Sequence, residues 1–383
     1  MNVPFFTQRA SFARQAPRIN ELLDEAIDTG QFVDGPLVSR LELALQERTG
    51  ARHVICVASG TDALTIALQA VGLEAGDRVV VPVYTFIASA TAIVHAGGAP
   101  VFADIEAQTY GLDLDALAET AARGECAGVM PVHLFQHMTD MHRVCEIAEQ
   151  HHLTVVEDSA EGIEMWQGAR HAGRFGSAGV LSFFPTKTLG ALGDAGAIVT
   201  DSDEVAALAR MLRSHGQLEG ERPYTWERVG WNSRMDDIQA AVLLARLEGL
   251  DREIDQRRTL AALYDEALEP MREWVSTPRP NPPEVSAPPY VYLIEAERRD
   301  ELVEHLSRCG IGTEVYYPRP LHLQPCFSEL GYSHGDFPVA EHAATRALAL
   351  PLYPDLPPAC VEEVCAELSR FYHAATAAVG SPA

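Results

Sequence analysis

The chain reads as an α/β protein: a mostly parallel, seven-stranded sheet flanked by helices, with a smaller C-terminal α+β domain behind it. Three observations predict this. Seven short apolar runs between residues 53 and 200 have strand length, and stretches of helical periodicity separate most of them. Strand–helix–strand alternation builds a parallel sheet, because strands running the same way need a crossover, and the crossover helices cover both faces. After residue 250 the alternation stops, and a proline-rich stretch, TPRPNPPEVSAPP at 277–289, precedes shorter mixed elements. The domains are therefore expected at 1–250 and 251–383, and 383 residues suffice for two cores of unequal size.

Residues 19–29 carry Ile19, Leu22, Leu23, Ala26 and Ile27 at helical spacing and stop at Gly30. Residues 37–49 form a second amphipathic helix closed by Gly50. Both precede the first strand, so they are expected as a helical arm on the large domain, outside its core. Strands follow at 53–59, 78–83, 100–104, 127–133, 153–157, 179–184 and 197–200, with helices at 59–73, 85–97, 114–123 and 139–151. Residues 204–215 are helical, and 235–257 read as mostly one long helix that continues to 268. The proline-rich stretch excludes regular structure. Beyond it come a strand at 290–296, a helix at 300–309, an extended piece at 313–317 and helices at 339–349 and 358–378, with VGSPA as a tail.

The formal net charge is −25. A surface this acidic argues against a nucleic-acid partner, which needs a basic face, and against an anionic membrane. A phosphorylated ligand would then need locally placed arginines and helix N-termini. No apolar run approaches the roughly 20 residues of a membrane span, and MNVPFFTQRASFARQ lacks the continuous apolar core of a signal peptide. A cytoplasmic protein is expected. The seven cysteines are odd in number and no pair is spaced CxxC, so most are expected as buried free thiols, with neither a disulfide framework nor a metal site.

One residue stands out by scarcity. Of 29 lysines and arginines, Lys187 alone is lysine, where ordinary composition would supply about 20. Arginine replaces lysine wherever only positive charge is wanted. It cannot replace an amine that must lose a proton and attack a carbonyl, because guanidinium stays protonated and delocalised. Lys187 lies in LSFFPTKTLGALGDAG, 181–196, between an aromatic run and a glycine-rich turn. That placement points to covalent chemistry at nitrogen, such as the imine an amine forms with pyridoxal phosphate (PLP).

Other groups fall where an α/β sheet places ligands, at the carboxyl ends of its strands. Ser59-Gly60-Thr61-Asp62 opens a helix, where free amides and short hydroxyls bind an anion; a plain N-cap accounts for these residues equally well. Glu157 and Asp158 end a strand, and a carboxylate opposite a pyridine nitrogen keeps that ring protonated and electron-accepting. Adjacent strand residues point opposite ways, and Asp158, which begins the DSAEG loop, is the better placed. Ser182, five residues before Lys187, could reach a phosphate or simply bond the backbone. Phe86 could stack on a flat ring or fill the core. Trp231-Asn232-Ser233-Arg234 is a polar stretch before a long helix, and His133, His137 and His322 are open as acid–base groups or as structural histidines.

The ordered set GTDAL (60–64), VPVYTF (81–86), PVFADI (100–105), PVHLF (131–135), VVEDSA (155–160), SFFPTKTLGALGDAGAIVT (182–200), MLRSHG (211–216), WNSRMDDIQAA (231–241) and YPRPLHLQP (317–325) resembles the DegT-type sugar aminotransferases, fold-type I PLP enzymes, over nearly the whole chain. The resemblance implies PLP held as an imine on Lys187, with Asp158 at its ring nitrogen, Phe86 stacked on its ring, and Gly60, Thr61 and Ser182 at its phosphate. It implies a homodimer in which Asn232 reaches the partner's phosphate, and it puts Tyr317 and His322 near the sugar. The implied reaction moves an amino group from L-glutamate to a keto sugar nucleotide in amino-deoxysugar biosynthesis. Two positions depart from the family pattern. Glu161 stands where a glutamine usually contacts the cofactor's ring oxygen, and Thr188 where an asparagine usually follows the lysine. A carboxylate facing that oxygen is expected to be protonated, turned away or in contact with substrate. A keto cyclitol acceptor fits the same machinery. PLP-dependent sugar dehydratases of this type replace the lysine with histidine, and a non-catalytic regulatory homologue has no need of it.

Overall fold

Valine, isoleucine and alanine fill the central strands because helices cover the sheet on both faces. The computed structural model describes residues 2–218 and 224–379, and the expected VGSPA tail lies outside them except for Val379. The sheet holds β1 (His53–Val57), β2 (Arg78–Pro82), β3 (Ala99–Ala103), β4 (Gly128–Val129), β5 (Thr154–Asp158), β6 (Ala178–Ser182) and β7 (Gly196–Thr200) in the order β1-β7-β6-β5-β4-β2-β3. β7 runs antiparallel to both neighbours, and all other pairs are parallel. This is the mostly parallel, seven-stranded sheet that the alternation predicts. β4 is much shorter than the run at 127–133, since Pro131 has no N–H for the ladder, although Val132 still bridges Asp158.

The helices are α1 (Arg9–Thr29), α2 (Pro36–Thr49), α3 (Gly60–Ala70), α4 (Ile87–His95), α5 (Leu114–Ala121), α6 (Met141–His151), α7 (Asp203–Arg213), α8 (Asp237–Leu247), α9 (Leu250–Leu268), α10 (Arg299–Arg308), α11 (Pro338–Arg346) and α12 (Pro358–Val379). Strand alternation divides the sheet's side chains between its two faces. Ile55, Val57, Val180 and Ile198 pack with Ala63, Leu64 and Ala67 of α3. Val54, Cys56, Leu181 and Val199 pack with Ile19, Leu22, Leu37, Leu41 and Leu45 of α1 and α2, and with α8. The expected arm is therefore corrected: α1 and α2 cover the second face of the sheet at β1, β6 and β7, and α5 and α6 cover the rest of it. α1 also starts earlier than its periodicity indicates and runs through Pro17, because Ser11 and Gln15 both reach the buried carboxylate of Glu253.

The helix read at 235–257 is two, broken at Glu248 and Gly249. Apolar spacing continues across the break and so conceals it. α9 passes from the sheet's cluster, through Leu250 and Ile254, into another that holds Leu260, Tyr264 and Leu268. There β8 (Tyr292–Ala296) and β9 (Ala347–Leu350) pair antiparallel, with Val275–Ser276 on the other edge of β8. The helix expected at 339–349 stops at Arg346. The next four residues, ALAL, favour helix by propensity, but β8 offers them a ladder. The proline-rich stretch is not wholly irregular, since Val285–Ser286 pairs with Trp166–Gln167. Of the seven cysteines only Cys56, Cys360 and Cys365 are buried, fewer than expected, and Cys326 is exposed. Among the described residues no helix is long and apolar enough to cross a membrane.

Candidate active site

The carboxyl ends of β1, β2, β5 and β6 open on one cavity of ≈ 580 Å³. Gly60, Thr61, Phe86, Asp158, Glu161, Ser182, Lys187 and Tyr317 line it; Asn232 and His322 do not. At the β1 end Ser59 caps α3, its Oγ accepting from the Asp62 amide at 3.1 Å. The amides of Gly60 and Thr61, first in the helix, have no carbonyl one turn back to bond. Ser182 stands alongside: a Cβ on Gly60 would lie 2.9 Å from the Ser182 Cβ, and one on Gly196 would lie 2.6 Å from the Gly60 nitrogen. Only glycine permits this closeness. The N-cap role falls to Ser59, which leaves two helix-end amides and the Thr61 and Ser182 hydroxyls as a cradle suited to an anion.

Asp158 is buried at the end of β5. Its Oδ2 accepts from Ser89 Oγ at 2.6 Å and its Oδ1 from the Ala160 amide at 3.2 Å. Ser89 belongs to α4, and no sequence spacing links it to Asp158. Glu157 points the other way. It accepts from the amides of Gly173, Phe175 and Gly176 at 2.8, 2.6 and 2.9 Å, and lies 3.2 Å from His133 Nε2. The Thr139 amide donates to His133 Nδ1 at 3.3 Å, so Nε2 carries the hydrogen and donates to Glu157. His133 is thus a structural histidine.

Lys187 Nζ lies 3.1 Å from Glu161 Oε1 and 4.7 Å from the centre of the Tyr290 ring. The other Glu161 oxygen takes the Phe135 amide at 2.6 Å. An amine buried this far needs a partner, and Glu161 supplies it; the two side chains are 16% and 7% exposed. Burial is the largest influence on Lys187 and lowers its pKa. The charge of Glu161, the Tyr290 hydroxyl, the hydrogen bond to Glu161 and the charge of Asp158 outweigh it, so the amine is held above the ordinary lysine range. Thr188, the second departure, is buried next in the chain.

The C-terminal part closes the cavity. Tyr84 Oη accepts from the Tyr317 amide at 2.7 Å and donates to the Tyr316 carbonyl, which ties residues 316–317 to the end of β2. The Tyr317 ring lies 6.4 Å from that of Phe86, whose side chain is 58% exposed. His322 is buried outside the lining, 3.0 Å from Glu341 Oε1 and against the Phe337 ring. His137 is buried beside Asn281, and burial lowers its pKa. Asn232 is exposed and accepts from Arg234. Tyr290 and Ser89 are the site residues that sequence reasoning misses.

These groups fit PLP. They offer one amine for an aldehyde, a carboxylate for a ring nitrogen, an aromatic for a flat ring, and a cradle that a Cβ at Gly60 would fill. Comparison with known proteins agrees. Residues 14–369 match the DegT/DnrJ/EryC1/StrS aminotransferase family. The chain belongs to this family. The aminotransferase is 41% identical over 376 residues to a Geobacillus stearothermophilus protein named pleiotropic regulatory protein, covering 97% of this chain and 99% of that one. It is 34% identical over 369 residues to the UDP-2-acetamido-2-deoxy-3-oxo-D-glucuronate aminotransferase of Pseudomonas aeruginosa, covering 96% of this chain and 100% of that one. The solved structure of NtdA from Bacillus subtilis with bound cofactor PMP matches at a TM-score of 0.88 and 31% identity, over 97% of this chain and 85% of that one. PLP is the cofactor of this aminotransferase.

The ion pair has a testable consequence for the cofactor-free protein. Glu161→Gln removes the charge that raises the amine. A larger share of Lys187 is then unprotonated at about pH 8, and its acetylation should quicken by about tenfold for each pKa unit lost. Peptide mapping distinguishes Lys187 from the N-terminal amine. Labelling that is unchanged or slower would mean that Glu161 does not hold the proton on Lys187.

Proposed function

We propose that the enzyme moves an amino group from L-glutamate to the ketone of a sugar nucleotide through PLP carried on Lys187. The observation that carries this reading is the placement of the chain's single lysine in the cavity that also takes in the anion cradle and Asp158. The Pseudomonas relative is named for a 3-oxo sugar carried on UDP, which supports an acceptor of that class. The Geobacillus relative bears a regulatory name; a purely regulatory chain would have no use for this amine. A cytoplasmic enzyme is the corresponding expectation.

In this reading Gly60, Thr61 and Ser182 hold the cofactor's phosphate and Phe86 covers its ring. Asp158, oriented by Ser89, stands at the ring nitrogen. When bound, PLP draws electrons from the bonds at the carbon bearing the amine and so lets an amino group pass from one carbon to another. Lys187 Nζ would hold the cofactor through its carbonyl carbon, and the donor amine would take that place. Once free, Lys187 Nζ would serve as the base for the proton on the donor's α-carbon. An amine already protonated cannot do this, so Glu161 governs how much of Lys187 is ready. With water supplying the oxygen, the donor would leave as its 2-oxo acid, and the keto sugar would take up the amine and give up its ketone oxygen as water. Tyr317 meets the sugar. His322, set back against Glu341, supports the segment whose Leu321 amide bonds the Val83 carbonyl. A homodimer completes the site, with Asn232 reaching the partner's cofactor. The exposed side chains of Phe86 and Phe184, which line the cavity, suit contact with a second copy.

The lysine is tested by reduction. A lysine-specific protease cuts the unfolded chain once, after Lys187. Borohydride treatment of the PLP-loaded enzyme should fix the cofactor there and leave the chain whole, and a chain that is still cut would remove Lys187 from the chemistry. The acceptor is tested by mass spectrometry of UDP- and dTDP-linked keto sugars incubated with glutamate. The expected product gains an amine; amination of a keto cyclitol alone, or loss of water without an amine, would replace the proposal. Co-expression of Lys187→Ala with Asn232→Ala chains tests the shared site. Mixed dimers hold one intact site and should outperform either homodimer, whereas no recovery would make Asn232 irrelevant to the partner.

A further inference from the structure

Three donor side chains meet between α10 and α12. His305 and Cys309 lie one helical turn apart, at the end of α10 and its C-cap, and Glu367 faces them from α12. Cys309 Sγ is 3.4 Å from Glu367 Oε2 and 3.9 Å from His305 Nε2, and His305 Nε2 is 3.1 Å from the same carboxylate oxygen. Among the described residues this is the one group of His, Cys, Asp and Glu side chains whose ligand atoms close up in this way. None of the three lines the cavity. We propose that His305, Cys309 and Glu367 bind one zinc ion, which clasps α10 to α12.

The spacings are those of a coordination face. Zinc takes nitrogen and oxygen at about 2.0–2.1 Å and thiolate sulfur at about 2.3 Å in a tetrahedral array, which sets its ligand atoms about 3.3–3.6 Å apart. Separations of 3.1, 3.4 and 3.9 Å mark three corners of such a tetrahedron with the backbone as it stands. Mixed nitrogen, sulfur and oxygen donors favour zinc over magnesium or calcium, which take oxygen. Arg370 bonds the other oxygen of Glu367, so the carboxylate presents Oε2 alone, as an outer-shell hydrogen bond requires. His305 and Cys309 are part-exposed and Glu367 is buried. The ion thus enters from solvent, and water takes the fourth corner. On binding, the thiol proton leaves to solvent and the imidazole hydrogen moves to Nδ1. Thiolate and carboxylate then balance the ion's two charges. The site is hard to find in sequence because no CxxC marks it: one helical turn separates His305 from Cys309, and Glu367 is a further 58 residues on.

Tag-free holoenzyme is titrated with Co²⁺ and then Zn²⁺, reading ligand-field absorbance, and its melting temperature and turnover are followed. One equivalent of cobalt should bind per chain and yield to zinc, and melting should rise while turnover holds. Cys309→Ala and His305→Ala should each abolish the absorbance at unchanged turnover, which also reports that the variants fold. Arg370→Ala should weaken zinc by about 10–100-fold, and Cys326→Ser should change nothing. Failure of the holoenzyme to bind either ion, binding that survives both alanine variants, or loss of binding in Cys326→Ser would overturn the site.

Discussion

The carboxylate of Glu157 is fully buried, and donors from two directions meet it: the amides of Gly173, Phe175 and Gly176, and the ring of His133. A buried charge is tolerable only when its lone pairs are filled, and charge-assisted bonds of this kind are strong. They tie the end of β5 to the loop at 173–176 on one side and to the chain after β4 on the other. With Glu157 fixed on that face, the pleat turns Asp158 toward the cavity, and the loop that follows brings Glu161 to Lys187. One structural carboxylate thus sets the position of two that line the cavity.

The cavity concentrates its charge in a chain that is acidic overall. Lys187 is the one amine there, and it is flanked by Glu161, Asp158 and the Tyr290 hydroxyl. Burial alone would free the amine by lowering its pKa; the carboxylates hold the proton on it. The anion cradle, by contrast, uses no formal charge. It consists of backbone amides and hydroxyls at the start of α3, brought together by two glycines. The anion cradle and the proton on Lys187 are therefore held by different materials within one cavity.

Much of this was legible in sequence, and the reasons are local. A strand of β-branched residues, a helix that opens with Ser-Gly-Thr-Asp, and an acid at a strand end each carry their meaning within a few residues. The scarcity of lysine is a property of the whole chain, and it located the amine without any spacing rule. What escaped reading depends on distance. Ser89 meets Asp158 across 69 residues, and Glu161 meets Lys187 across 26. α1 and α2 precede the first strand, yet they cover a face that is finished only when β7 inserts beside β1. The ALAL run at 347–350 has the composition of a helix and becomes a strand because β8 has an open edge there. His305 and Glu367 join across 62 residues. In each case tertiary pairing overrides a local preference.

The near-absence of lysine also bears on the company this enzyme keeps. Aldehydes and ketones condense with primary amines, so reducing sugars and free PLP slowly glycate or pyridoxylate the lysines of ordinary protein surfaces. Arginine's guanidinium, protonated and delocalised, is a poor nucleophile toward such carbonyls. A chain with 29 basic side chains and one amine among them offers these compounds a single side-chain target, and that target lies inside the cavity built to receive them. Apart from the N-terminal amine, the chain offers no other primary amine to the class of molecule that its interior handles.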